Sequence, residues 1–136
     1  MKSILSILLL CFVIFLQAQL SIATNFREDG TYNEAAIQWK VNQDETSLSL
    51  FKFNMDLTSF SLINKEAKEE IYTIIDWTYD EEQFLYDMKL KDKNGKEFEF
   101  IIDAANELVI FFYYNSSNEY CMHRYYILDS WFNEAE

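Results

Sequence analysis

Apolar and polar side chains alternate along most of this chain, and this two-residue period constrains the fold more than any other feature. The alternating runs are short, and polar clusters separate them about every ten residues, as in antiparallel β-structure. The clearest case runs from Phe84 to Ile102, where two alternating runs flank the turn Asp92–Gly95. The sequence therefore predicts a half-buried hairpin at this place.

The same pattern predicts an all-β fold, an antiparallel up-and-down meander of about eight strands. The predicted strands are 37–41, 48–55, 59–63, 71–79, 84–91, 97–103, 108–114 and 119–128. Two of them change the parity of their apolar residues, which predicts β-bulges near Leu50–Phe51 and Ile74–Ile75. Such a meander closes into a barrel, stays a partly open sheet, or splits into a β-sandwich, and the pattern leaves these alternatives open.

The first eighteen residues have the layout of a secretory signal peptide. Lys2 gives a basic start, residues 4–16 are almost wholly apolar, and Ala18 is a small residue at the cleavage position. The ending of this leader resembles signal peptides of secreted proteins from the Bacteroidetes group of bacteria. We expect cleavage after Ala18, with an uncleaved anchor as the alternative. The mature protein is then secreted or periplasmic and has no membrane span.

The rest of the chain divides by pattern into three parts. Residues 19–29 are polar and mixed, which predicts a flexible lead-in. Residues 30–128 form the predicted β-domain. Residues 129–136 form a short C-terminal tail, in which Trp131 and Phe132 are placed to cover a sheet edge.

Charge and glycine content exclude several classes of function. The formal net charge is −12, and it is near −13 once Lys2 leaves with the leader. Nucleic acids and anionic lipid surfaces bind clustered basic residues, so we expect neither as a partner. The two glycines cannot supply a dinucleotide fingerprint or a phosphate loop, and we expect no cofactor.

The residues for nucleophilic or metal chemistry are few. His123 is the one histidine, and Cys121 is the one cysteine left after loss of the leader. A zinc site needs more ligands than this pair, so we expect no metal site, and Cys121 is interpreted as a small buried side chain. No orienting acid for His123 is evident, and the many acidic pairs are unspecific. We therefore predict no enzyme activity, with a hydrolase as the alternative.

A family resemblance rests on three residues. Gly30-Thr31-Tyr32 is similar to the Gly-x-Trp of the first lipocalin strand, with tyrosine in place of tryptophan. Arg124 on the last predicted strand matches the basic residue that lipocalins pack over that tryptophan. The resemblance implies a β-barrel that binds a small hydrophobic ligand.

The aromatic side chains either line a ligand cavity or fill an ordinary core. The candidate ligand-binding residues are Tyr32, Trp39, Trp77, Tyr86, Phe98, Phe100, Phe112 and Arg124. Tyr113, Tyr120 and Tyr125 are predicted on the opposite face, as an exposed contact patch. The expected function is a secreted, acidic, non-catalytic binding module for a small hydrophobic ligand. The alternative is a periplasmic or cell-surface protein-interaction or inhibitor module.

Overall fold

The computed structural model describes residues 18–134, which form a closed antiparallel β-barrel without helix. The strands are β1 (Ala18–Asn33), β2 (Gln38–Glu45), β3 (Ser49–Phe53), β4 (Ser59–Asn64), β5 (Glu69–Asp80), β6 (Leu85–Lys91), β7 (Glu97–Asp103), β8 (Leu108–Tyr114) and β9 (Tyr120–Glu134). Within this range no helix is long and apolar enough to cross a membrane.

Strand β1 closes the barrel by pairing along both of its edges. One edge pairs with β9 from Ala18 to Thr31. The other edge is shared, since Ser21–Thr24 pairs with β3 and Arg27–Asn33 pairs with β2. The barrel therefore has eight strand positions, and β2 is an extra strand whose second edge has no strand neighbour between residues 18 and 134. The predicted all-β meander is confirmed, in its closed form.

The two ends of the barrel differ. At one end, here called the mouth, the connections are 34–37, 65–68, 92–96 and 115–119. At the closed end they are 54–58, 81–84 and 104–107. Leu57 and Ala104 are buried there, and Ala18 pairs with Glu134 at the same end.

Aromatic rings fill the barrel below the mouth. The largest fully buried side chains include Phe51, Phe53, Phe60, Phe100 and Phe111. The ring centroid of Phe60 lies 4.8 Å from that of Phe53 and 4.9 Å from that of Phe100, distances typical of direct ring packing. An eight-position barrel is just wide enough for such side chains to meet at its centre. The interior is therefore a packed core.

All seven hairpin turns between residues 18 and 134 are built alike. Each begins with Asn or Asp, whose side-chain oxygen accepts a backbone N–H two to four residues further on. These residues are Asn33, Asn54, Asn64, Asp80, Asp92, Asp103 and Asn115. Each turn also contains one residue at positive φ: Ile37, Leu57, Ala67, Phe84, Gly95, Glu107 or Asn118. Side-chain hydrogen bonds thus shape the turns of a chain that has almost no glycine.

The eight predicted strands correspond to β2–β9. The predicted hairpin is confirmed, with Lys91 opposite Glu97 and Leu85 opposite Asp103. The bulge predicted at Ile74–Ile75 is confirmed by a register shift there. The bulge predicted at Leu50–Phe51 is wrong, because the register of β3 is continuous with both neighbours. The chain breaks instead at 46–48, which leaves Leu48 exposed.

The predicted flexible lead-in is wrong, because residues 19–29 lie within β1. Leu20 and Ile22 are buried, but register shifts on either side of Thr24 interrupt the alternation that identifies a strand. The predicted boundary at Gly30 is therefore wrong as well. The predicted leader lies outside the described residues, apart from Ala18.

The predicted C-terminal tail is wrong as far as Glu134, because β9 continues to that residue. Trp131 pairs with Ser21 and Phe132 with Leu20, so this segment completes the barrel wall. Asp129 and Ser130 make the segment polar in sequence, although Ser130 is buried. Residues 135 and 136 lie outside the described range. The β-domain thus includes both flanks of the predicted 30–128 segment.

Candidate binding site at the barrel mouth

The barrel interior opens at the mouth into a cavity of about 220 Å³. Its apolar lining comes from Leu62, Phe98 and Phe111, which are continuous with the core. Its polar lining comes from Arg27, Glu70, Tyr72, Asp92, Lys96, Tyr113, His123 and Tyr125. Seven strands or turns contribute to this lining, so the cavity depends on the closed barrel.

A hydrogen-bonded group of three charged or titratable side chains joins β1 to β9, and two of its members, Arg27 and His123, line this cavity. Cross-strand register places Asp29 opposite His123 and Arg27 opposite Tyr125. Arg27 donates to both carboxylate oxygens of Asp29, with Nε–Oδ1 at 2.7 Å and Nη2–Oδ2 at 3.2 Å. His123 Nδ1 lies 2.6 Å from Asp29 Oδ1. Each of the three side chains is about one-quarter to one-third exposed.

The short contact to Asp29 determines how His123 holds its proton. Burial lowers the pKa of His123, the charge of Arg27 lowers it further, and Asp29 opposes both. The imidazole is therefore neutral at pH 7. Because the Asp29 carboxylate can only accept, the proton resides on Nδ1, and Nε2 is the nitrogen that can accept a hydrogen bond. Arg27 Nη2, 3.1 Å from Nδ1, then donates to Asp29 rather than to His123.

Phenol groups surround this charged group and stay protonated at neutral pH. Burial raises the pKa of Tyr125 to about 12, although the Arg27 guanidinium, 5.5 Å from the ring centroid, opposes the rise. Burial also raises the pKa of Tyr72, whose hydroxyl donates to Glu70 Oε2 at 3.1 Å. Burial raises the pKa of Tyr113 in the same way.

The arrangement suits recognition of a small ligand through hydrogen bonds and ring contacts. Phenol hydroxyls can donate or accept, His123 Nε2 accepts, and Lys96 donates. Arg27 is held rigidly by two hydrogen bonds to one carboxylate. Within residues 18–134, no three His, Cys, Asp or Glu side chains come close enough together to hold a metal ion.

The structure divides the eight predicted ligand residues between the two faces of the barrel. Trp77, Tyr86, Phe98 and Phe100 point inward, and of these only Phe98 lines the mouth cavity. Tyr86 and Phe100 are 2% and 0% exposed within the filled core. Trp77 packs on Tyr86, with ring centroids 5.8 Å apart.

The other four predicted residues lie on the outer surface. Trp39 of β2 contacts the rings of Tyr32 at 5.3 Å and Phe112 at 5.8 Å. Tyr120 also contacts Trp39, at 5.5 Å. We call these four rings, Tyr32, Trp39, Phe112 and Tyr120, the outer aromatic cluster. Phe112 and Tyr120 lie outside the barrel because the alternate residues of β8 and of the first part of β9 line the interior cavity. Trp39 of β2 covers both rings from outside, and Tyr32 of β1 packs on Trp39.

Arg124 is bound on the same outer face, but in a hydrogen-bond group of its own. Its Nη2 donates to Glu28 Oε1 at 2.7 Å, and the Tyr126 hydroxyl donates to the same oxygen at 2.6 Å. The hydrogen bond from Tyr126 has the largest effect on the pKa of Glu28. Together with the bond from Arg124 it outweighs burial, so the pKa of Glu28 is lowered. The expected packing of Arg124 over Tyr32 is replaced by this group and by the contact of Tyr32 with Trp39.

On β1, Gly30 lies between Glu28, which binds Arg124, and Tyr32 of the outer aromatic cluster. A Cβ at this position would come within 2.9 Å of Met122 Cε and 3.0 Å of the Lys40 carbonyl oxygen. Met122 and β2 therefore pack directly against the backbone of β1. This close approach explains the glycine in the Gly30-Thr31-Tyr32 motif without reference to a ligand.

The predicted exposed patch of three tyrosines is wrong. Tyr125 is 4% exposed and Tyr113 lines the mouth cavity, whereas Tyr120 lies on the exterior. Strand β8 is apolar on both faces, so its alternation does not reveal which face is buried. The interpretation of Cys121 as a small buried side chain is confirmed, since Cys121 is 5% exposed.

Apart from Phe98, none of the residues that line the cavity is among the predicted ligand residues. The clearest omission is the pair Arg27 and Asp29, which binds His123. They belong to β1, which was not predicted as a strand, and His123 therefore seemed to lack an acidic partner. The available signal was their spacing of two, which places both on one face of any strand.

No protein-family model, curated protein or solved structure matches this chain. Its function is therefore inferred from the geometry of the mouth. The two features that bear on it are the packed core and the open polar cavity above it.

Proposed function

We propose that this chain is an exported, acidic, non-catalytic binding module that holds a small polar ligand at the barrel mouth. The supporting observation is the contrast between a barrel packed solid with phenylalanine and a cavity lined by eight polar or charged side chains. Binding sites commonly combine apolar lining with a few placed polar groups. The predicted leader supports export, and the charge of −12 disfavours nucleic acid as the partner.

Size and polarity favour a different ligand from the hydrophobic one that the lipocalin resemblance implies. The cavity, at about 220 Å³, is smaller than the roughly 300–1,000 Å³ of typical drug-sized sites. A hydrophobic ligand would leave the Arg27–Asp29 pair and His123 desolvated without new partners, which is unfavourable. A small molecule with hydrogen-bonding groups would satisfy them.

Native mass spectrometry of the mature chain, purified without denaturation from cells that produce it, tests the proposal. We expect an added mass in the native spectrum that disappears on denaturation. The Tyr113→Ser variant should lose this mass because Tyr113 lines the cavity. Tyr114→Ser is the matched control, since the neighbouring side chain is 61% exposed on the exterior.

Two results would contradict the proposal. One is a bare chain mass for the wild-type protein in its native state. The other is a retained mass in Tyr113→Ser combined with its loss in Tyr114→Ser, which would place the ligand on the outer face. Circular dichroism of both variants distinguishes a lost ligand from a lost fold.

The free edge of β2 favours a second candidate function, an interaction module that associates with a second copy of itself. Antiparallel pairing of two β2 strands about Asn42 places Lys40 of each copy opposite Asp44 of the other, on one face. Unpaired strand edges are templates for such addition, and opposite charges across strands stabilise it.

Sedimentation velocity distinguishes this candidate from a monomeric ligand-binding module. Lys40→Glu should weaken the dimer by placing like charges opposite each other. Lys40→Glu combined with Asp44→Lys should restore it, because the charge pairs are then exchanged. A wild-type chain that stays monomeric over a 100-fold range of concentration would contradict this second candidate function.

A further inference from the structure

A cation already occupies part of the mouth cavity. The ammonium nitrogen of Lys96 lies 4.3 Å from the ring centroid of Tyr113 and 5.2 Å from that of Phe98. Both distances are within the roughly 6 Å range for attraction between a cation and the face of an aromatic ring. The two rings are themselves in contact, with centroids 5.7 Å apart.

The backbone at Lys96 is fixed while its side chain is long and exposed. The turn Asp92–Lys96 is closed by hydrogen bonds from Asp92 N to the Lys96 carbonyl at 3.0 Å and from Lys96 N to Asp92 Oδ1 at 2.9 Å. The lysine side chain extends from this rigid turn on four rotatable carbons. It can therefore leave the rings without disturbing the fold.

The remaining charges around the cavity also favour a cation. Arg27 is neutralised by its two hydrogen bonds to Asp29, and His123 is neutral. Two further carboxylates, Glu70 and Asp92, line the cavity. Once the Lys96 side chain moves away, the aromatic rings and these two carboxylates remain in the lining.

We propose that the mouth binds a small organic cation, an alkylammonium group, which replaces the Lys96 ammonium over Tyr113 and Phe98. This inference rests on the proposed function and specifies the ligand class. Lys96 then acts as an internal competitor that fills the ring site until the ligand arrives. The net charge of −12 would draw cationic ligands towards the barrel.

The test is a titration with choline chloride, followed by NMR chemical shifts of the Tyr113 and Phe98 ring protons. We expect saturable shifts in the wild-type chain. The Lys96→Ala variant should bind choline about two- to fivefold more tightly, because a competing cation–ring contact is lost. Lys93→Ala removes the same charge from the same turn and should leave the affinity nearly unchanged.

Neutral 3,3-dimethylbutan-1-ol, which has nearly the shape of choline, is the ligand control. It should produce no saturable shift at the concentrations where choline does. Equal binding of the two molecules, or equal choline affinity in the wild-type and Lys96→Ala chains, would overturn the inference. Tyr113→Leu in the Lys96→Ala background should lose binding while its circular dichroism stays that of the barrel.

Failure of this inference is distinguishable from failure of the proposed function. A ligand mass that the native protein carries and that choline does not displace would keep the mouth as a binding site and reject the cation. Absence of both the carried mass and choline binding would reject both.

Discussion

At the scale of single residues, seven backbone positions shape the connections of the barrel. Six of the seven turn residues at positive φ are not glycine, and they include the β-branched Ile37. A left-handed conformation costs a residue with a side chain roughly 1–2 kcal/mol. The hydrogen bonds from Asn and Asp side chains to the turn backbone offset this cost. Glycine at such a position would remove the cost and keep the hydrogen bonds, which come from a different residue of the turn.

Replacement of Ala67 by glycine should stabilise the protein. Ala67 has φ of 61°, a conformation that glycine adopts without steric cost. We expect the free energy of unfolding to rise by about 0.5 kcal/mol or more, measured by urea denaturation. Ala36→Gly is the control, because Ala36 lies in an equivalent exposed turn without a positive φ, and there glycine should destabilise. Equal effects at both positions would contradict the prediction.

Titration of His123 should make stability depend on pH. Burial and the charge of Arg27 lower its pKa in the folded state below the ordinary value of 6.5. As the pH falls through 6.5, the unfolded chain takes up the proton first, so stability present at higher pH is lost. Between pH 7.5 and 5.5, we expect the wild-type chain to lose up to roughly 1 kcal/mol more than His123→Gln. Parallel pH profiles of the two urea-unfolding series would contradict this expectation.

At the scale of elements, β1 determines whether the sheet closes. Among the strands of residues 18–134, it is the one that pairs with three others, β2, β3 and β9. Its buried side chains also join the core, since Leu20 and Ile22 are 5% and 1% exposed. Loss of its first half would open the barrel along β3 and β9 and expose that core to water.

A chain that begins at Gly30 should therefore fail to fold, whereas one that begins at Gln19 should fold. The shorter chain lacks the paired segment Ser21–Thr24 and the contacts of residues 18–29 with β9. We expect it to lack cooperative thermal unfolding by circular dichroism and to aggregate through its unpaired strand edges. A cooperative transition in the shorter chain would support the flexible lead-in that the sequence predicted.

The elements differ in how far their sequences revealed them. Hairpin β6–β7 was predictable because one face meets the core and the other meets water, which gives strict alternation. β1 was not, because it turns Arg27 and Asp29 inward, and the partners that make this burial favourable lie about 95 residues away on β9. Only Phe98 of the predicted ligand residues lies in the candidate site, because the others either pack in the filled core or lie on the outer face.

At the scale of the whole molecule, the barrel is a packed core with a shallow opening. The lipocalin resemblance led to the expectation of an internal ligand, but the number of rings that meet at the centre cannot be read from a strand pattern. The sequence pattern does not decide whether the sheet closes, because barrels and sandwiches share the same alternation of apolar and polar residues. The structure resolves it through the pairing of β1 with β9.

Replacement of Phe100 by alanine should convert the packed barrel into a hollow one. Phe100 is 0% exposed and contacts Phe51, Phe53, Phe60 and Phe111. We expect a loss of about 3–5 kcal/mol in the free energy of unfolding. The variant should also bind benzene, because apolar cavities of about 150 Å³ do so. Isothermal titration should detect no benzene binding by the wild-type chain, and binding by both would contradict a filled interior.

The pairing of Ala18 with Glu134 makes the barrel a ring of strands whose two ends adjoin. A short peptide could join these neighbours, and the chain could be cut elsewhere, since circular permutation is tolerated where termini are close and the new cut is exposed. Opening between Ser116 and Ser117, in an exposed turn, would carry the new ends to the mouth. A binding partner or reporter could then be attached beside the cavity, whereas in the natural strand order Ala18 and Glu134 lie at the closed end of the barrel.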